Sequence, residues 1–273
     1  MINLHQTHVY VSYYNSIEEY INYLEETPRK PGYRDASESN GGDFTGTESL
    51  KYAMDLCKYG DTKLASYINE LILDVSNFET VNKNRQQYVN DIVGFTPNVP
   101  NYVMGIPTNM IRDNRNIIKS KVINIFINLC ASAMVRQSTI KKNAAIYVAA
   151  INSLEKQGYR CNVWVGDCGS SGSAKYGYAI KIKSDREPLN LTKMAFPLSH
   201  PSMLRRLGFK WIETLPVDFT HSGYGQPVDS DSNIRRILKP FFQDRQYVIL
   251  SVSHNGGQVT DVVERLKKRG MVK

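Results

Sequence analysis

The sequence predicts an α/β protein: a mostly parallel sheet flanked by helices, with a small helical N-terminal region. Three observations carry this. From residue 118 onward, apolar β-rich runs alternate with amphipathic helical stretches, the order that builds a parallel sheet covered by helices. The runs at 122–129 and 247–252 are almost continuously apolar, as in strands buried on both faces. Before residue 118 the apolar spacing is mainly helical. The chain of 273 residues therefore divides into a mainly helical region, 1–117, and a basic α/β domain, 118–273.

The N-terminal region opens on an alternating stretch, His8–Ser12, that reads as a strand. Ser16 and Glu19 form a capping box, and Ile17, Tyr20, Ile21 and Leu24 follow at helical spacing. Residues 28–46 are rich in Pro, Gly, Ser and Asp and read as an exposed, mobile loop. Leu50, Ala53, Met54 and Cys57 line a helix that Gly60 stops. Leu64, Ile68, Leu71, Ile72 and Val75 line the next. In 94–107, Pro97, Pro100 and Pro107 interrupt apolar residues, so no regular helix is expected. The apolar content predicts an extended connector packed down on the core.

The C-terminal domain begins with a strand over 121–129. Ile140, Ala144, Tyr147, Val148, Ile151 and Leu154 define a helix ending near Gly158. A second strand over 159–165 leads to a Gly/Ser-rich loop, 166–173, and a third strand over 176–183. Helices are expected within 188–207, one starting at Ser199–Ser202, and a short fourth strand over 208–215. A polar loop, 218–233, leads to a helix reaching Lys239. The strand at 247–252 turns through Ser253–Gly257 into a last helix with Val259, Val262, Val263 and Leu266 inward and Gly270 as its cap.

The charge is unevenly spread. Residues 1–117 hold 10 Lys and Arg against 15 Asp and Glu, a net of −5; residues 118–273 hold 24 against 11, a net of +13. Such asymmetry suggests a polyanion partner for the basic half, or, more simply, a charged solubilising surface. No apolar run reaches the 18 or so residues of a membrane span, and Met1–His5 does not open a signal peptide. A cytoplasmic protein without membrane contact is expected. Cys57, Cys130, Cys161 and Cys168 fit no zinc spacing and read as free thiols.

In parallel sheets, ligands sit beyond the carboxyl ends of the strands. Three loops qualify here: 128–135, 166–173 and 253–257. The last, with Asn255, Gly256 and Gly257, joins a strand to a helix, the context in which backbone N–H groups hold an anion; it is equally an ordinary turn. His254 is the best-placed general base, with Asp167 as its acidic counterpart. Residues 166–173 lack the lysine of a P-loop and read better as a hairpin loop. His200 and His221 lack sequence partners, and a Cys130 or Cys168 pair with His254 has no support in spacing. The cationic candidates are Lys141, Lys142, Lys181, Lys183, Arg205, Arg235 and Arg236, with Tyr176, Tyr178 and Trp211 as base-stacking platforms. Each of these also has the plain reading of a solvated helix or strand face. Lys181 and Lys183 alternate on one strand and are expected to share a face.

Asn128-Leu-Cys130-Ala-Ser132, leaving an apolar strand for a long helix, resembles the metal-site loop of von Willebrand factor A-like (Rossmannoid) domains, patterned Asp-x-Ser-x-Ser. The strand–helix–strand order of 118–270 is similar to that fold. The resemblance implies Asn128, Ser132 and Thr139 as metal ligands, with Asp167 or Asp229 as a distant carboxylate. Asn128 and Cys130 replace the anionic and hydroxyl ligands that a hard cation wants, so no cofactor is expected. The stretches 94–107 and 200–209 look like recurring segments of an uncharacterised bacteriophage protein family, which would put the chain in the host cytoplasm. The expected function is non-catalytic binding or scaffolding, contacting nucleic acid or a protein through the basic domain. The alternatives are an enzyme acting on a phosphorylated or nucleotide substrate, and a virion-associated assembly protein.

Overall fold

A computed structural model describes residues 2–6, 8–31, 35–75, 88–113, 121–131, 135–171, 173–217, 226–228, 230–243, 246–252, 259–268 and 270. β1 (Ile2–Gln6) and β2 (Val9–Tyr14) pair antiparallel across His8, whose φ of 64° lies in the left-handed region that tight hairpin turns use. α1 (Ile17–Glu26) starts at the capping box. Glu19 N–H donates to Ser16 Oγ (3.1 Å) and Asn15 N–H to Glu19 Oε2 (2.6 Å). Tyr20, Ile21 and Leu24 are buried at the predicted spacing.

Within 28–46, the described residues 35–46 are not the free loop that their composition predicts. They contain two single-turn helices, α2 (Ala36–Ser39) and α3 (Gly42–Thr45), with Ser37 and Thr45 buried. α4 (Leu50–Tyr59) and α5 (Thr62–Val75) follow, and Leu50, Ala53, Met54 and Cys57 are buried as expected. Gly60 divides them at φ 90°, where an added Cβ would lie 2.9 Å from the Thr192 carbonyl oxygen.

Residues 88–113 form a small sheet of their own. β3 (Tyr88–Asp91), β4 (Thr96–Pro97) and β5 (Met110–Asp113) pair antiparallel in the order β3-β5-β4, with α6 (Val99–Val103) between β4 and β5. The expected buried connector at 94–107 is corrected here. Phe95, Tyr102 and Val103 are 65 %, 69 % and 78 % exposed. Apolar content predicts that a side chain wants a cover; it does not say that its own chain provides one.

The second half runs β6 (Val122–Asn128), α7 (Gln137–Lys156), β7 (Arg160–Ser171), β8 (Ala174–Lys183) and α8 (Leu191–Ser199). A π-helical turn, Met203–Gly208, leads into α9 (Phe209–Glu213). Then come β9 (Gln226–Pro227), α10 (Asp231–Ile237), α11 (Lys239–Phe242), β10 (Tyr247–Ser251) and α12 (Val259–Lys268). The expected strand at 208–215 is a helix, because Trp211, Ile212 and Leu215 recur at helical spacing and are all buried.

The main sheet has the order β1-β2-β8-β7-β6-β10, with β9 added to β7. Across β2, β8, β7, β6 and β10, three of the four pairings are parallel and only β7–β8 is antiparallel. The fold is thus mixed α/β with a mostly parallel five-stranded centre. Alternate residues face two covers. Ile125, Ile127, Val163, Val165, Val248 and Leu250 point into the larger core with α1, α4, α5, α7 and α8. Phe126, Trp164, Tyr247 and Ile249 point into a smaller one under α10 and α11. Both faces are covered, which is why these strands read as continuous apolar runs.

Within the Gly/Ser-rich stretch 166–173, residues 166–171 are corrected from loop to strand: β7 runs on to Ser171, which pairs with Ala174 at the start of β8. The glycines serve close packing. A Cβ on Gly166 would lie 1.9 Å from the Tyr178 carbonyl oxygen, and one on Gly169 would lie 2.1 Å from the Tyr176 hydroxyl.

Candidate functional site

The antiparallel β7–β8 pair gives the sheet two carboxyl edges. Strands β6, β7 and β10 end at one; β2 and β8 end at the other. The sequence pointed to the first.

At that first edge the named polar groups are enclosed. Asn128 is buried, and its amide is taken up at both ends: Nδ2 donates to Val228 O (3.0 Å) and Oδ1 accepts from Cys130 N–H (3.3 Å). Thr139 is half-buried in the first turn of α7. Asp167 lies within β7 opposite Tyr178 and is buried. Burial raises its carboxyl to about 7, against a smaller lowering effect of the Cys168 N–H. All four cysteines are free and buried, and burial pushes the Cys168 thiol well above its usual range. His200 is stacked on Phe196, accepts from Ser202 N–H at Nδ1 (3.1 Å), and is pulled down to about 4 by burial. It stays neutral at physiological pH, oriented as a cap. Among the described residues, no group of three or more His, Cys, Asp or Glu is placed to hold a metal ion. Ser132, His221, Asp229, His254, Asn255, Gly256 and Gly257 lie outside the described residues.

The cations sort into three kinds. Lys183, Arg205 and Arg206 are buried and serve the fold. Lys183 Nζ donates to Glu155 Oε1 (2.5 Å) and to the Cys161, Ser184 and Glu187 carbonyls. The expectation that Lys181 and Lys183 share a face is corrected, because the β7–β8 register slips between Val163 and Trp164. Lys181 lies over the Trp164 ring (4.8 Å), while Lys183 sits opposite Val163, on the other core's side. Arg205 Nη1 donates to Phe44 O (2.7 Å), and its guanidinium lies over that ring. Arg206 uses all five guanidinium donors: Nε to Thr47 Oγ1, Nη1 to Ser37 O and Glu38 O, Nη2 to Asn40 O and Thr47 O. That clamp is what orders 35–47. Glu213 completes it by accepting from Ser37 N–H (3.0 Å) and Ser37 Oγ (2.6 Å).

A second kind leans on aromatic rings. Lys141 lies over Tyr67 (5.2 Å), and half-buried Arg235 donates to Tyr247 O (2.6 Å) beside Phe242. Only Lys142 and Arg236 of the named cations are exposed, and Arg236 donates to Asn233 Oδ1 (2.8 Å). The stacking candidates Tyr176, Tyr178 and Trp211 are corrected to core: all are buried, and Trp211 Nε1 donates to Tyr14 OH (3.0 Å).

The second carboxyl edge carries a cleft of about 560 Å³, within the range of ligand pockets. Asn15 and Ser16 line it where β2 passes into α1, and Lys181–Ser184 where β8 ends. Lys58 and Tyr59 come from the end of α4, and Lys193 from the first turn of α8. Two helix N-termini, capped by Ser16 and Asn190, border this edge and add partial positive charge. Glu18 and Glu187 oppose the lysines; Glu187 Oε2 accepts from Ser184 N–H (3.3 Å). Tyr59 is 74 % exposed beside them. Sequence reasoning missed Lys58, Tyr59 and Lys193. They sit on three separate elements and share no spacing, so only knowledge of the β2–β8 pairing would have brought them together.

The chain belongs to the family described as Domain of unknown function (DUF7192), whose model matches residues 3–273. Neither the curated proteins nor the solved structures give a match. Among the described residues, no helix is long and apolar enough to cross a membrane.

Proposed function

We propose that this DUF7192 chain is a non-catalytic binding protein that engages a nucleic-acid strand at the cleft on the carboxyl edge of β2 and β8. The observation that carries the reading is that Lys58 and Lys193, from two separate helices, line one cleft beside an exposed tyrosine. Lysines from separate elements can follow a phosphate backbone, and a solvent-facing ring can stack a base. The net charge of +8 favours such a partner over a basic one. An A-domain-like identity for residues 118–270 belongs to the same proposal. It is supported by the order β6, α7 and parallel β7.

The test is fluorescence anisotropy with a labelled single-stranded oligonucleotide at increasing salt. About two phosphate contacts predict a slope of log K on log salt near −1.4. Lys58→Ala with Lys193→Ala should weaken binding roughly tenfold and flatten that slope, since each lost contact removes about 0.7 from it. Tyr59→Ala should weaken binding with the slope unchanged. Absence of binding at low salt would remove the nucleic-acid reading.

A further inference from the structure

We infer that residues 92–104 are the surface through which two copies of this chain associate. This segment belongs to the small sheet, and none of its residues enters either core cluster. Its apolar side chains face solvent instead. Ile92, Val93 and Phe95, in the turn between β3 and β4, are 70 %, 72 % and 65 % exposed. Val99, Tyr102 and Val103 of α6, at 61 %, 69 % and 78 %, are spaced to share one helix face, and Met104, which ends the helix, is 65 % exposed. Isolated exposed apolar residues are ordinary; seven within thirteen positions make a patch.

The patch is also preformed. Asn98 Oδ1 caps α6 by accepting from Asn101 N–H (3.4 Å), and Asn101 Nδ2 donates to Thr108 O (3.0 Å). Asn98 N–H bonds back to Asn109 O (2.7 Å). Gly94 lets the turn lie against β5, for a Cβ there would be 2.2 Å from the Ile111 carbonyl oxygen. A surface held in shape before binding keeps the ordering cost of association low.

Two arguments make the occupant a second copy. The first is area. Seven side chains exposed to this degree offer on the order of 900 Å², and a stable pair buries about 800 Å² per partner. The second is charge. The chain carries +8 overall, yet residues 88–113 hold only Asp91, Arg112 and Asp113 as charged groups, and Arg112 pairs with Asp91 at 2.9 Å. Two like-charged copies meet with little repulsion at a surface this sparsely charged. A two-fold contact asks only that this patch face its own image, which an apolar surface does without needing complementary charges.

Sedimentation velocity on the full chain, from about 1 µM to about 100 µM, should show a monomer–dimer equilibrium in the micromolar range or tighter. Phe95→Glu with Val103→Glu should raise the dimer dissociation constant roughly hundredfold. Its thermal unfolding, compared at a concentration where both chains are monomeric, should stay unchanged, because both positions face water in the monomer. Hydrogen exchange on the unaltered chain gives a check that needs no variant: amides of 99–104 should slow as concentration rises. A monomer throughout the range overturns the inference and assigns the patch to a different partner. So does a dimer that the double variant leaves intact, or exchange that ignores concentration.

Discussion

Replacing Arg206 by alanine is expected to cost the protein about 4–5 kcal/mol, measured as the shift in urea unfolding of the full chain. That guanidinium donates five hydrogen bonds, four of them to the main-chain carbonyls of Ser37, Glu38, Asn40 and Thr47. Alanine would leave the Ser37 and Thr47 carbonyls buried without that donor, each at a cost of roughly 1–3 kcal/mol, and would open the part-buried Glu38 and Asn40 carbonyls to water. Lysine is no substitute. Its single ammonium has three donors and no planar fork, so Arg206→Lys should still lose about 3 kcal/mol. The loss has a location as well as a size: residues 35–47 should become the first site of limited proteolysis. An alanine variant that unfolds at the unaltered urea concentration, with 35–47 still resistant, would contradict the clamp.

Asp167→Asn is expected to stabilise the protein at pH 8 by about 4 kcal/mol and to change little at pH 4. Burial raises this carboxyl from 3.8 to about 7, and its Oδ1 has no hydrogen-bond partner. The sign follows from proton counts. Between about pH 4 and pH 7 the unfolded carboxyl is ionised and the folded one is still protonated. Folding therefore takes up a proton, and stability falls as pH rises through this window. Above pH 7 the fold holds a charged carboxylate within β7 and the full penalty persists. Asparagine has the same shape without the charge. The difference between variant and parent isolates this one group, because the other carboxylates cancel. A difference that stays constant from pH 4 to pH 8 would show that Asp167 is ionised, or reached by water, throughout.

Much of the fold was legible because each element declared its period. The Ser16–Glu19 cap, the face Leu50–Ala53–Met54–Cys57, the helix 137–156 and the strands at 122 and 247 all lie where alternation or helical spacing put them. Glycine misled at 166–173. A run of Gly and Ser reads as a loop, but Gly166 and Gly169 are where a neighbouring strand presses too close for any side chain. Charge misled in the same way. Lys183, Arg205 and Arg206 read as surface, and nothing local in the sequence distinguishes a cation that binds a ligand from one that holds its own backbone. The cleft was illegible for a third reason. It depends on β2 lying beside β8, a pairing between residues 9–14 and 175–180 that leaves no short-range trace.

That same pairing sets a timetable for assembly. The β7–β8 hairpin closes locally, but β2 can dock only once β8 exists, long after the N-terminus has left the ribosome. Until then β8 presents an open edge, with Tyr176 and Tyr178 on the face that α1 will cover. The slowest step should therefore be the arrival of β2, and a chain lacking that strand should fail by sticking to itself more than by losing its helices.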